Sequence, residues 1–265
     1  FPILILGVAG ILNQTVDKII FPWVYPDKEH VFTELGIYGQ NFKIAVIMVM
    51  FTQAFRYAFE PFIFARHKGG TNDLRSFSDA TKYFIIFGLL IFLVTTGYLD
   101  IIKKLIPASY HQGLKVVPIV LLGELFFGIY FNLSLWYKLT DKTRWGAYMS
   151  LFGFVITITL NILFIPRYGY MACAWASFIA NLAMMLVSYV LGQKNYPIPY
   201  NLRSAGLFFF LSMALFGVIQ LTYTYVSEVW LRLLVNTLLI GVYLVVVIQK
   251  ELPLRTLPVI GKWFH

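Results

Sequence analysis

Apolar residues run along this chain in long blocks, and short loops between the blocks hold most of the charge. Counted between charged or Pro/Gly breaks, the blocks span Phe1–Trp23, Leu35–Phe64, Phe77–Tyr98, Leu114–Trp136, Trp145–Ile165, Gly169–Gln193, Arg203–Tyr225 and Trp230–Ile248. Each is long enough for one helix across a ~30 Å hydrocarbon core at ~1.5 Å rise per residue. The expected fold is therefore all-α: a polytopic membrane protein with eight transmembrane helices.

Composition points the same way. With 59% hydrophobic residues, 12% charged and a mean hydropathy of +0.75, no water-soluble domain could cover its own surface. The chain begins at Phe1 with no basic segment before its first apolar block, so that block does not read as a signal peptide, and the chain reads as a piece of something longer.

A net charge of +9 would suggest nucleic acid in a soluble protein; in a membrane the question is on which side the cations fall, and no nucleic-acid partner is expected. With a cytoplasmic N-terminus, the inner side receives Arg66, Lys68, Arg75, Lys82, Lys138, Lys142, Arg144, Lys194, Arg203, Lys250, Arg255 and Lys262. The outer side receives Lys28, Lys103, Lys104, Lys115, Arg167 and Arg232. This two-to-one excess over short loops is the positive-inside signature and puts both ends in the cytoplasm. Trp23, Tyr25, Tyr98, Tyr168 and Trp230 at outer ends, and Trp136, Tyr137, Trp145, Tyr196 and Tyr200 at inner ends, fit the aromatic belts of the two interfaces.

Pro197 and Pro199 hold the segment Gly192–Asn201 extended. This sets the expected organisation: 1–193 a six-helix lobe, 194–202 a linker, 203–250 two peripheral helices and 251–265 a cytoplasmic tail. Ala172, Ala176 and Ala180 recur every fourth residue, a spacing that lets helices approach closely where lipid supplies no hydrophobic drive. The lone Cys173 reads as a packing residue, since one cysteine forms neither an intrachain disulfide nor a cysteine-rich metal site. The acidic outer loop from Tyr25 to Glu34 reads as solvated.

Ionisable groups inside the blocks carry the functional signal, because a charge at mid-bilayer costs roughly 2.5–3.5 kcal/mol on insertion scales. The first block holds Asn13, Gln14, Asp17 and Lys18; the second Lys43, Gln53, Arg56 and Glu60; the fourth Glu124 and Asn132; the fifth Asn161. Asp17 lies roughly 9 Å and Lys43 roughly 12 Å from the outer ends of their helices, so the two share a depth and are open to pairing. Gln53, Arg56 and Glu60 fall within about 60° of arc, with Arg56 and Glu60 at i,i+4 spacing, and Pro61 follows. These residues either brace the bundle or line a polar cavity. Asn13, Asn132 and Asn161 are each expected as interhelical glue. No metal site and no catalytic group is expected: no H-E-x-x-H, nucleophile elbow, Walker sequence or metal-holding Asp pair is present.

The run Asn161-Ile-Leu-Phe-Ile-Pro-Arg-Tyr-Gly-Tyr-Met-Ala-Cys-Ala-Trp-Ala-Ser177 resembles the N-x-x-L-I-P-x-x-G-x-x-G-A-A-x-A-T segment joining the fifth and sixth helices of a lobe in the multidrug/oligosaccharidyl-lipid/polysaccharide exporter superfamily. Met171 to Cys173 departs from its Gly-Ala-Ala. Leu35 to Lys43 and Gln53 to Pro61 are similar to the second helix of the C-terminal lobe in its bacterial polysaccharide flippase branch, and Gly192 to Tyr200 also resembles that branch. The resemblance implies helices seven to fourteen of a fourteen-helix exporter in the bacterial cytoplasmic membrane, whose missing N-terminal lobe encloses a V-shaped cavity with this one. It also implies flipping of an undecaprenyl-diphosphate-linked oligosaccharide for O-antigen or capsule assembly. Lys18, Lys43 and Arg56 would then meet the anionic substrate. Asp17, Glu60 and Glu124 would balance charge or couple transport to Na⁺ or H⁺, with Asn13, Gln53 and Asn132 as polar lining and no cofactor. A drug/cation antiporter of the same superfamily, favouring acidic and aromatic cavity residues, and a polytopic acyl- or glycosyltransferase are the alternatives.

Overall fold

The computed structural model describes residues 15–68, 74–140 and 142–251, and of these the side chains of 62 and 64–68 are left aside. Asn13, the rest of the first fourteen residues and the tail 252–265 with Arg255 and Lys262 lie outside the described residues. Helix α1 covers 15–24. It is followed by α2 (Val31–Lys68), α3 (Leu74–Gly97), the short α4 (Leu99–Ile102) and two 3₁₀ turns (Lys103–Leu105 and Ala108–Val116). Then come α5 (Val117–Leu133), α6 (Leu135–Leu139), α7 (Arg144–Tyr168), α8 (Tyr170–Asn195), α9 (Leu202–Tyr225) and α10 (Val229–Glu251). No strand occurs among the described residues. Seven helical segments are long and apolar enough to cross a membrane, Ala108–Leu139 counting as one of them, and with α1 they follow the eight apolar blocks. Helix α2 continues through Pro61 rather than stopping near it.

Helix α5 is the axis of the bundle: it is apolar almost all round, and 13 of its 17 residues are buried, as a helix packed on every side requires. It meets α2 and α3 on one side and α8 on the other, while α7 packs on the outside of α8. Gly123 allows a close backbone approach, since a Cβ there would stand 3.3 Å from the Cα of Phe178 on α8. Ala172, Ala176, Ala180 and Cys173 are all buried on α8, which is the close packing their sizes predict. Helices α9 and α10 pack on α3 and add Phe208, Ile219, Ile240 and Tyr243 to the same apolar core.

One end of the bundle gathers the turn 25–30, the 3₁₀ turns and the joint between α7 and α8. Lys28 caps α1 there, its Nζ donating to the carbonyls of Pro22 (2.9 Å), Trp23 (3.2 Å) and Tyr25 (2.8 Å), where cations complement a helix C-terminus. Asp27 pairs with His30 at 2.8 Å, and that hydrogen bond holds its carboxyl below the usual carboxylate range.

The joint between α7 and α8 is a single residue, Gly169, at φ 54°, ψ −137°. Only glycine adopts this backbone freely, and a Cβ would sit 3.3 Å from Oε2 of Glu34. Gly169→Ala is expected to destabilise the bundle by about 1–3 kcal/mol, read as a lower melting midpoint of the purified protein in detergent, with an unchanged midpoint as the outcome that removes the claim.

Candidate functional site

Helix α2 presents two distinct long faces. Taking Lys43 as origin at ~100° per residue, Val46, Ile47, Met50, Ala54, Tyr57 and Ala58 fall within about 60° of it, and all are exposed. Tyr38, Phe42, Gln53, Arg56 and Glu60 fall together between about 220° and 280°. This second flank is a polar seam running most of the length of α2, facing α1 near the Gly169 end and α5–α6 near the other.

At the Gly169 end, Tyr38 Oη donates to Asp17 Oδ2 at 2.7 Å, with both residues buried. The ammonium of Lys18 stands over the Phe42 ring, 3.9 Å from its centroid, a cation–π contact that partly replaces lost hydration. Glu124 comes from the axial helix, buried, within reach of the charges of Lys18 and Asp17. It makes no ion pair or hydrogen bond with another described residue. Two carboxylates and one ammonium thus lie within electrostatic reach of one another.

At the opposite end, Glu60 pairs with Lys138 of α6 at 2.5 Å. The guanidinium of Arg56 lies 5.0 Å from the Phe131 ring and 5.4 Å from that of Tyr57. Like Lys18, it has no ion pair among the described residues. On α2 and α5 three buried polar atoms have no hydrogen-bond partner: Thr52 Oγ1, Gln53 Oε1 and Asn132 Nδ2. Buried polar groups are nearly always satisfied, so such atoms suit water or a polar ligand.

Three expectations are corrected. Asp17 and Lys43 do not pair: Lys43 is exposed and its Nζ donates to Gln40 Oε1 at 3.0 Å, while Asp17 takes Tyr38. Their depths match, but Lys43 lies about 140° round α2 from Tyr38. Arg56 and Glu60 do not form an i,i+4 bridge, because Lys138 reaches Glu60 from another helix. Asn161 is not interhelical glue, for both side-chain polar atoms are buried without a partner; Asn132 leaves its amide nitrogen unpaired. Other asparagines bind the helices instead. Asn41 Nδ2 donates to Tyr110 O at 2.8 Å, Asn181 Nδ2 to Gly123 O at 3.2 Å and Asn236 Nδ2 to Gly97 O at 2.9 Å.

Sequence reasoning missed Tyr38 as the Asp17 partner, although Tyr38 stands on the same 60° flank as Gln53, Arg56 and Glu60. A second buried polar group also went unread: Asp100 of α4 bonds Arg232 of α10 at 2.6 Å and Lys103 at 2.7 Å, with Arg232 stacked 4.7 Å from the Tyr223 ring.

The seam-bearing helix α2, the axial α5 and most of α7 fall within one matched segment. Residues 33–163 match the model of the MatE family. The MatE match supports membership of the multidrug/oligosaccharidyl-lipid/polysaccharide exporter superfamily, whose MatE members are transporters and not enzymes. With seven apolar spans, it supports a multi-pass membrane transporter. Lys43, Gln53, Arg56, Glu60, Glu124 and Asn132 lie inside the MatE segment, whereas Asp17 and Lys18 precede it. No curated protein and no solved structure matches the chain.

Proposed function

We propose that this protein exports an anionic lipid-linked oligosaccharide across the bacterial cytoplasmic membrane by alternating access. The observation that carries the reading is the Arg56 guanidinium, held against the Phe131 and Tyr57 rings with no ion pair among the described residues, while Lys18 of α1 lies over Phe42 at the other end of the seam with Asp17 and Glu124 within electrostatic reach. A cation kept in a low-dielectric site without an anion is costly, and a diphosphate passing along the seam would supply the missing charge. Arg56 offers the planar fork suited to phosphate oxygens. The exposed stripe of α2 from Lys43 to Ala58 would face a second lobe across the cavity, and the positive-inside bias would set the Gly169 end outside. Asp17 and Glu124 would carry the coupling Na⁺ or H⁺, since intramembrane carboxylates of this kind serve ion and proton pathways.

The same two carboxylates favour a second reading, a drug/cation antiporter, in which Asp17 and Glu124 hold the organic cation. One experiment separates the two: the full-length protein is expressed in a strain lacking its own polysaccharide flippase, then in one lacking its drug exporters. Restored surface polysaccharide with no gain in cationic-drug resistance is the expected result. Drug resistance without polysaccharide would transfer the assignment to the antiporter.

A further inference from the structure

Helices α8 and α9 stand apart, and the crevice between them is floored by α5. Near mid-membrane it is closed by three rings: Phe126 of α5 meets Phe178 of α8 at 5.4 Å and Phe209 of α9 at 6.1 Å between centroids. This divides the crevice into two separate hollows. The one toward the Gly169 end has a volume of about 690 Å³. Ile119, Leu122, Phe178 and Phe216 wall its deep part, and Lys103 and Lys115 stand at its mouth.

We propose that this hollow binds one anionic glycerophospholipid of the adjoining leaflet, its phosphate between Lys103 and Lys115 and an acyl chain against Ile119, Leu122 and Phe216. Charge distribution supports the headgroup. Asp100 is shared by Arg232 and Lys103 at 2.6 and 2.7 Å, so three charges leave a net +1, and Lys115, beside the Tyr170 ring at 5.7 Å, feels the Glu34 carboxylate electrostatically but forms no ion pair among the described residues. The hollow at the opposite end lacks this surplus, because its lysine, Lys82, is neutralised by Glu251 at 2.8 Å and Asp79 at 3.3 Å. The ring closure supports the tail: it limits the hollow to about one leaflet, ~15 Å of hydrocarbon, which suits a fatty-acyl chain and stops a polyisoprenoid that would cross the bilayer midplane.

The test is native mass spectrometry of the delipidated full-length protein with phosphatidylglycerol or phosphatidylcholine of identical chains. Wild type is expected to retain phosphatidylglycerol in preference by roughly tenfold or more, given the attraction of two lysines near the membrane surface. Lys115→Gln, which breaks no ion pair, should cut that preference severalfold, and K103Q/K115Q should remove it. Leu122→Trp, which fills the deep part, should reduce retention of both lipids while gel filtration still shows a folded monodisperse protein. Equal retention of the two lipids by wild type, or a K103Q/K115Q preference equal to wild type, overturns the headgroup site; unchanged retention in Leu122→Trp overturns the acyl site.

Discussion

Arg56→Gln is expected to lower export of the lipid-linked oligosaccharide at least about tenfold, the cost of losing one charged hydrogen bond to the moving anion, while protein in the membrane stays at its normal level. Insertion should not suffer, because removing a charge from an apolar segment makes its transfer into lipid easier. Folding should not suffer much either: Arg56 makes no ion pair among the described residues, and its contacts with Phe131 and Tyr57 are of a kind worth about 1 kcal/mol. Lys18→Gln should act in the same direction from the other end of the seam. Arg56→Lys keeps the charge without the planar fork, so a partial recovery identifies phosphate geometry and a full one identifies charge alone. The readouts are surface polysaccharide and lipid-linked units accumulated on the inner side. Normal export by both Gln variants would make the seam a structural brace.

Arg232→Met is expected to destabilise the protein by about 3 kcal/mol, since removing one partner of a buried pair strands the other. Asp100 and Arg232 side chains are 4% and 11% exposed, and the remaining partner, Lys103, is itself one-third exposed. The loss should appear as a lower melting midpoint in detergent. Asp100→Asn combined with Arg232→Met should recover much of it, because the one charge then left, Lys103, is one-third exposed and open to water. If the single variant melts like wild type, the pair contributes nothing to holding α10 on α3 and α4.

The spans were legible because lipid imposes a length and an apolar content that loops do not meet, and the break between the fifth and sixth apolar blocks fell at the Gly169 joint. What a linear reading could not supply was azimuth and partner. Depth placed Asp17 level with Lys43, yet only the turn of α2 decides that Tyr38 faces Asp17 and Lys43 does not. Glu60 had a cation at i−4 in Arg56, but a lysine 78 positions away wins through packing of α6. Asp100 and Arg232 each sit near the end of an apolar block, where a charge looks solvated, and nothing local reveals that the ends of α3 and α10 meet. Among asparagines, depth did not separate the useful Asn41, Asn181 and Asn236 from Asn161.

The position of α5 has a consequence for how the chain is made. The helix that ends up most enclosed is synthesised before α7 and α8, so it must first stand in lipid without the neighbours that later cover it. Its continuous apolar surface permits that waiting state, with Glu124 as its one carboxylate. Arrival of α8 then converts a lipid-solvated rod into the centre of a packed bundle. The centre is therefore laid down before the helices that enclose it, and a nascent chain halted before α8 would be inserted but not yet compact.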